Sequence, residues 1–382
     1  MNDFLGIDWF FLATSLAKTL GIIFLVVLPM VSYTVYAERR ISALIQDRLG
    51  PNRTGIPFTN IHMEGLGQPI ADAVKFLLKE DLTPAHVNTF YFWLAPCLAM
   101  APSLLTLSVI PFGSWLFGVP MVIANVNIGI LFVFAIASLS VYGIVLAGWS
   151  SNSKYSFLGG VRSTSQMISY ELSLGLSVIP LFLLLGKLNL VDIVDYQARN
   201  GWLLLPLWGE GLTLRRWLLL IPLLISFVVF TISIFAETNR LPFDLPEAET
   251  ELVAGYHTEY SSMKFALFFL GEYAAMITGS SLIVTLFLGG WHLPIPWWSS
   301  GAGFHFALVD GAAPGIPGIL GGLFNIATFF GKVAVLLAFF IWVRWTLPRF
   351  RYDQLMRLGW IFFFEIALVN IFLTAGILFY LP

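Results

Sequence analysis

Between two long apolar runs, the segment FAETNRLPFDLPEAETELVAGYHTEY (residues 235–260) crowds six carboxylates and two prolines around one arginine, Arg240. Glu247 and Glu251 stand four apart, one above the other if the stretch is helical, where like charges repel. Pro246 suits the first turn of such a helix, and acids are favoured at a helix N-terminus. That explains some of the acids and leaves Glu237, Glu249 and Glu259 unexplained. Coupled carboxylates in poorly hydrated surroundings hold protons more tightly than free ones and can exchange them near neutral pH. The segment therefore reads either as a proton-exchanging cluster or as a solvated acidic loop that docks a basic partner.

Three more ionisable residues lie within apolar runs. Glu171 in QMISYELSLGL, Glu272 in FFLGEYAAM and Lys332 each cost several kcal/mol in hydrocarbon unless paired or neutral, so they are candidates for function. Glu171 is expected near one end of its run and Glu272 deeper. Lys332 is open as a partner for one of them or as a separate relay site. A second polar group, Glu38, Arg39 and Arg40 in YAERRISALIQDRLGPNR, follows the first apolar run. One reading is a charged anchor at the membrane surface. The other is a mouth of two guanidiniums and a carboxylate that admits a lipid-soluble molecule with a polar headgroup, such as a quinone.

The elements that must position these residues follow from composition. The chain of 382 residues is 58% hydrophobic and 11% charged, with mean hydropathy +0.84, the profile of an integral membrane protein. Eight runs are long enough to span a bilayer, near 12–36, 90–113, 126–149, 164–186, 216–236, 264–290, 323–346 and 359–381. The fold class is all-α, a polytopic helical bundle forming a single membrane domain over 1–382. Loop 1 covers 37–89 and includes an amphipathic helix near 66–79, with Ile70, Val74, Leu77 and Leu78 on one face and Asp72, Lys75 and Lys79 mostly on the other. The acidic loop covers 237–263. Loop 1 holds Arg39, Arg40, Arg48, Arg53, Lys75 and Lys79, and loop 7 holds Arg344, Arg349, Arg351 and Arg357. Among the even loops only loop 4 is basic, with Lys187, Arg199, Arg215 and Arg216. The odd loops are thus expected in the cytoplasm and both termini on the other side. The start, MNDFLGIDWFFLATSLAK, has no cleavable signal pattern and is read as retained.

Other chemistry is disfavoured. Cys97 is the one cysteine, which excludes a disulfide framework and a self-contained iron-sulfur cluster. His62, His86, His257, His292 and His305 fall in loops or at their edges, unlike the facing pairs that hold a membrane haem. Neither a P-loop nor a dinucleotide fingerprint occurs, and Gly159–Gly160 reads as a turn. A net charge of -2 gives no basic surface for nucleic acid.

Taken together, AERRISALIQDRLGPNR, GQPIADAVKFLLKED, SNSKYSFLGGVRSTSQMISYEL, the acidic segment continued through MKFALFFLGEYA, and RWTLPRFRYDQLMRLGW resemble the H subunit family of bacterial NADH-quinone oxidoreductase, respiratory complex I. The resemblance covers nearly the whole chain. It implies a subunit of a proton-translocating enzyme, not catalytic alone, in the bacterial inner membrane. Its partners would be peripheral subunits holding flavin and iron-sulfur clusters, small membrane subunits and antiporter-like subunits. Quinone would be the substrate at a shared site, with no metal in this chain. By the same resemblance, Glu38, Arg39, Arg40, Asp72 and Ala73 border the quinone passage. Glu237, Glu247, Glu249, Glu251 and Glu259 face the quinone cavity, and Glu171 and Glu272 continue a chain of acids into the membrane.

Two departures bear on that implication. Loop 1 is longer at TGIPFTNIHMEGL, and Ser138 stands where some family members place an acid, so a proton route here must bypass that position or bridge it with water. Three other readings stay open: the same fold serving a hydrogenase or ferredoxin-driven quinone reductase, an independent ion transporter using Glu171, Glu272 and Lys332, and a purely structural anchor.

Overall fold

In the computed structural model the described residues are 9–55, 64–117, 119–206, 213–245, 253–293 and 316–380. Eight helices among them are long and apolar enough to cross a membrane. They are α1 (Leu12–Ile45), α3 (Thr89–Thr106), α4 (Gly129–Ser150), α5 (Lys154–Leu185), α7 (Leu214–Glu237), α8 (Ser262–Phe287), α9 (Ile319–Thr346) and α10 (Tyr352–Tyr380). Two helices outside the spans complete the set, α2 (Gln68–Leu78) and α6 (Leu190–Asn200). A two-residue hairpin, β1 (Trp115–Leu116) with β2 (Val119–Pro120), is the single sheet among the described residues. The chain is therefore an all-α polytopic membrane protein, as its composition dictates.

Each expected span is present, and the differences lie at the ends. The first helix runs on to Ile45, so Glu38, Arg39 and Arg40 are not loop residues but part of the last turns of a continuous helix. Within it the turn Ile22–Val27 widens to π geometry just before Pro29, which lacks the N–H for the preceding turn. The fourth span begins at Lys154 and is 32 residues long, which places Glu171 in mid-helix rather than near an end. The expected turn at Gly159–Gly160 is absent: both lie inside α5, where the missing side chains admit neighbouring backbone. Turn chemistry and close helix packing both select glycine, and the sequence alone does not separate them.

Helix α8 is the hub, with 72% of its apolar window buried. It packs against α1, α2, α3, α6, α7 and α9. Lipid tails are as apolar as leucine, so these contacts rest on close packing and interhelical hydrogen bonds. Gly143 on α4 shows the closeness required: a Cβ there would sit 2.5 Å from the backbone nitrogen of Ala99 on α3. The hydroxyl of Thr278 on α8 donates to the carbonyl of Ser103 on α3 at 3.1 Å.

At the end of the bundle remote from loop 1, Lys332 is partnered by backbone and by none of the acids among the described residues. Its ammonium donates to the carbonyls of Leu288 and Gly290 at 2.8 Å and of His292 at 2.5 Å, and it lies 4.2 Å from the centre of the Trp202 ring. One of these carbonyls belongs to the C-cap residue of α8 and the other two to the turn that follows it, so the ammonium ties that turn down at the negative end of the helix. Gln197 of α6 adds to this tie, donating to the carbonyl of Thr285 at 2.8 Å and accepting from the N–H of Gly289 at 3.0 Å.

Candidate functional site

The last turns of α1, the loop after α7, the 3₁₀ turn Gly255–His257 and helices α8 and α9 converge on one buried charge cluster. Glu38 of α1 is 7% exposed although it directly precedes the exposed Arg39. One carboxylate oxygen, Oε2, accepts a hydrogen bond from the Tyr273 hydroxyl at 2.6 Å and lies 3.9 Å from Arg240. The other, Oε1, accepts from Arg344 of α9. Glu272 is the residue before Tyr273 on α8, so it projects about 100° round the helix and meets a different set of groups. It receives the Tyr256 hydroxyl at 3.0 Å, with His257 Nε2 at 3.8 Å and Arg240 at 3.5 Å.

Arg240 bridges the two carboxylates, 4% exposed, and its guanidinium lies 4.2 Å from the centre of the Tyr273 ring. Its position is set by the wrapping of residues 236–243 around one side chain of α5. The Gln166 amide nitrogen bonds the carbonyls of Ala236 and Phe243 at 2.8 Å and the Asn239 side-chain oxygen at 3.1 Å. Next along the chain, Asp244 pairs with Arg349 at 3.1 Å and ties the same segment to the chain after α9. Desolvating a lone charge costs several kcal/mol. Here Glu38 and Glu272 are balanced by Arg240 and Arg344, and the tyrosine hydroxyls occupy lone pairs the guanidiniums leave. A balanced cluster of this kind responds strongly to any new charge beside it.

Arg39 and Arg40 belong to a separate, wetter layer above this cluster. Arg39 pairs with Asp72 of α2 at 2.7 Å, and Arg40 pairs with Glu64 at 3.0 Å and bonds the carbonyl of Pro51 at 3.3 Å. Ala73 is exposed on α2. The amphipathic helix is where the sequence places it, with Ile70, Val74, Leu77 and Leu78 exposed.

Glu237 and Glu171 form a second acidic group on the α5–α7 pair, both half-buried and within electrostatic reach of each other. Glu237 lines a cavity of about 70 Å³ together with Ser103, Thr106, Ser140, Thr238 and Thr278. That is room for a few water molecules in a lining that is mostly apolar, with Glu237 and the hydroxyls as its polar groups. The Ser138 hydroxyl donates instead to the carbonyl of Ala135 within its own helix, so the polar lining at this level of α4 comes from Ser140. Glu259 is half-buried between the 3₁₀ turn and α8. Glu247, Glu249 and Glu251 lie outside the described residues. Among the described residues no three His, Cys, Asp or Glu side chains are placed to hold a metal ion.

Sequence reasoning singled out Glu38, Glu272 and the lone Arg240 among the acids, but not the other groups that surround the two carboxylates. Arg344 reads as one of several basic residues of loop 7, and His257 as a loop histidine. Tyr273 offers the one local signal, a phenol next to an intramembrane carboxylate in GEYAAM.

Comparison with known proteins shows similarity along nearly the whole chain. A profile of the family described as NADH dehydrogenase matches residues 17–375. A protein of Geobacter metallireducens, named as an H subunit of NADH-quinone oxidoreductase, is 47% identical over 371 residues, covering 96% of this chain and 97% of its own. A protein of Rickettsia prowazekii, also named as the H subunit of that enzyme, is 48% identical over 373 residues, covering 98% and 96%. One of Rhodospirillum rubrum with the same name is 46% identical over 357 residues, covering 92% and 91%.

Proposed function

The chain belongs to the NADH dehydrogenase family as a membrane subunit of NADH-quinone oxidoreductase, respiratory complex I, and from that premise we propose that it walls the quinone-access chamber and couples quinone reduction to proton movement. The observation that carries the reading is the buried bridge Glu38–Arg240–Glu272, which joins the helix under the polar mouth to the central helix of the bundle. In this reading a quinone passes between α1 and α8 beneath α2, with Arg39, Arg40, Asp72 and Ala73 at the rim and Glu38 inside. Its headgroup is reduced mainly in a peripheral partner that carries the terminal iron-sulfur cluster, and flavin lies further along the same arm.

Reduction changes the charge beside a balanced cluster, and a proton shift on Glu272 or its loop partners Glu247, Glu249, Glu251 and Glu259 restores the balance. The change passes through Glu237 and the cavity it lines to Glu171, and onward to antiporter-like subunits in the membrane. The cavity, lined by Ala137 and Ser140 on either side of Ser138, is where water would bridge the position that lacks an acid. The basic odd loops support a chamber on the cytoplasmic side of the bacterial inner membrane, with both termini on the opposite side.

Glu272→Gln and Glu249→Gln test the coupling in membranes that contain the assembled complex. Each is expected to lower protons moved per electron more than it lowers complex content, and normal pumping in both variants overturns the relay. Deleting the chain and restoring it tests the donor: NADH-driven quinone reduction is lost and then returns, whereas a ferredoxin- or hydrogen-driven enzyme leaves that activity unchanged.

A further inference from the structure

The strongest feature outside the charge cluster is a clamp between the far end of α2 and the first turn of α8. Lys264 is 3% exposed, yet it serves a loop at the membrane surface. Its ammonium reaches the Thr83 hydroxyl at 2.6 Å, the Asp81 carboxylate at 3.1 Å and the carbonyl of Leu82 at 3.5 Å. It also lies 4.3 Å and 5.0 Å from the ring centres of Trp93 and Phe92 on α3. Two serines before it hold the end of α2 and the chain that follows it. The Ser262 hydroxyl is shared between the carbonyls of Phe76 and Lys79, both at 3.0 Å, and Ser261 Oγ accepts from the N–H of Leu82 at 3.0 Å. Ser262 adopts a left-handed φ of 52°, a conformation a serine takes only where its surroundings hold it. At its other end α2 is tied to α1 by Arg39–Asp72, and the Tyr36 hydroxyl of α1 bonds the carbonyl of Glu64.

Helix α2 is therefore a lintel fixed at one end to α1 and at the other to α8, the two helices that meet through Glu38 and Tyr273. A buried ammonium is a costly way to hold an exposed loop. The established use of such groups is to fix register, since a charge with three directed partners tolerates one geometry where an apolar contact tolerates many. We infer that Lys264, with Ser261 and Ser262, is a positioning residue that sets the width of the passage between α1, α2 and α8 and thereby the affinity for the tailed substrate that threads it. The inference rests on the quinone reading above. Glu272 lies eight residues further along α8, about 12 Å from the clamp, so the clamp acts on access and not on the acids.

The test uses the whole complex in membranes, with a one-isoprene ubiquinone and a decyl-tailed ubiquinone as probes. Lys264→Met is expected to raise KM for the decyl-tailed probe several-fold and for the short probe less, with kcat, complex content and NADH oxidation by a hydrophilic acceptor unchanged. Lys264→Arg should restore part of the affinity. Asp81→Asn removes the exposed partner, keeps the lysine and should give a smaller rise of the same kind, which covers poor assembly of the methionine variant. An unchanged KM, or a fall of kcat in step with complex content, overturns the inference in favour of a purely structural lysine. Arg39→Ala at the opposite end of α2 separates the two levels of the argument. A KM raised by Arg39→Ala but by neither clamp variant sinks the clamp alone, whereas a KM moved by none of the three sinks the quinone passage itself.

Discussion

Gly159→Ala adds one methyl group at the closest approach between α5 and the 3₁₀ turn that carries Tyr256 and His257. A Cβ there would lie 2.8 Å from Gly255 Cα and 2.9 Å from both Gly255 C and the Tyr256 backbone nitrogen. Carbon atoms are comfortable at about 3.5–4.0 Å, so the turn must retreat by roughly 0.7 Å. Overpacking of this kind costs about 1–3 kcal/mol. The functional cost comes from the Tyr256 hydroxyl, which sits 3.0 Å from Glu272 and has little distance to spare before the bond is lost. A hydrogen bond to a charged group contributes about 1.5–3 kcal/mol, which corresponds to roughly a ten- to hundredfold loss in any step that depends on it. The assay is protons moved per electron and quinone reduction in membranes, normalised to complex content. Gly175→Ala is the control, because a Cβ at that helical position meets nothing within 4 Å. Tyr256→Phe removes the same bond directly, so combining it with Gly159→Ala should add little to the coupling defect. If Gly159→Ala pumps as well as Gly175→Ala, the link from the turn to Glu272 has no functional weight and the reasoning fails.

Tyr273→Phe keeps the ring beside Arg240 and deletes only the bond to Glu38, a loss of about 1.5–3 kcal/mol to that carboxylate. Steady-state kinetics should show weakened quinone handling with intact NADH oxidation, and wild-type kinetics would count against a role for Glu38 at the passage. Lys332→Met removes the donor to the carbonyls of Leu288, Gly290 and His292 at and beyond the end of α8. Native gels should show less complex, while the complex that survives moves protons at the normal ratio; a reduced ratio at full content would restore Lys332 to the relay. Burial, with the nearby Lys332 ammonium adding to it, pushes His292 down from 6.5 to about 3. Its folded value is the lower one, so the folded state is favoured fully above pH 6.5 and loses stability as pH falls from there toward 3, by about 2 kcal/mol at pH 5. The inactivation temperature of the solubilised complex should fall over that range, and less steeply in His292→Asn.

What the sequence determined by itself is whatever hydrocarbon imposes locally. A bilayer demands long apolar helices, so all eight spans stand in the sequence as continuous runs. It also penalises ionised groups, so Glu171, Glu272 and Lys332 stand out by residue type alone. The amphipathic face of α2 is legible for a similar reason, because a helix lying in the interface repeats its polarity every 3.6 residues. Partner choice is not local, and there the tertiary structure decided. Glu38 meets Tyr273 across 235 residues and Arg344 across 306, and no spacing rule reaches that far. A lysine in an apolar run looks the same whatever it faces, and only the packing of the helices brings the carbonyls of Leu288, Gly290 and His292 to Lys332. Gly159 and Gly160 look like a turn and are a helix contact, because glycine marks any place where backbone comes close, and which backbone comes close is settled only when the helices pack.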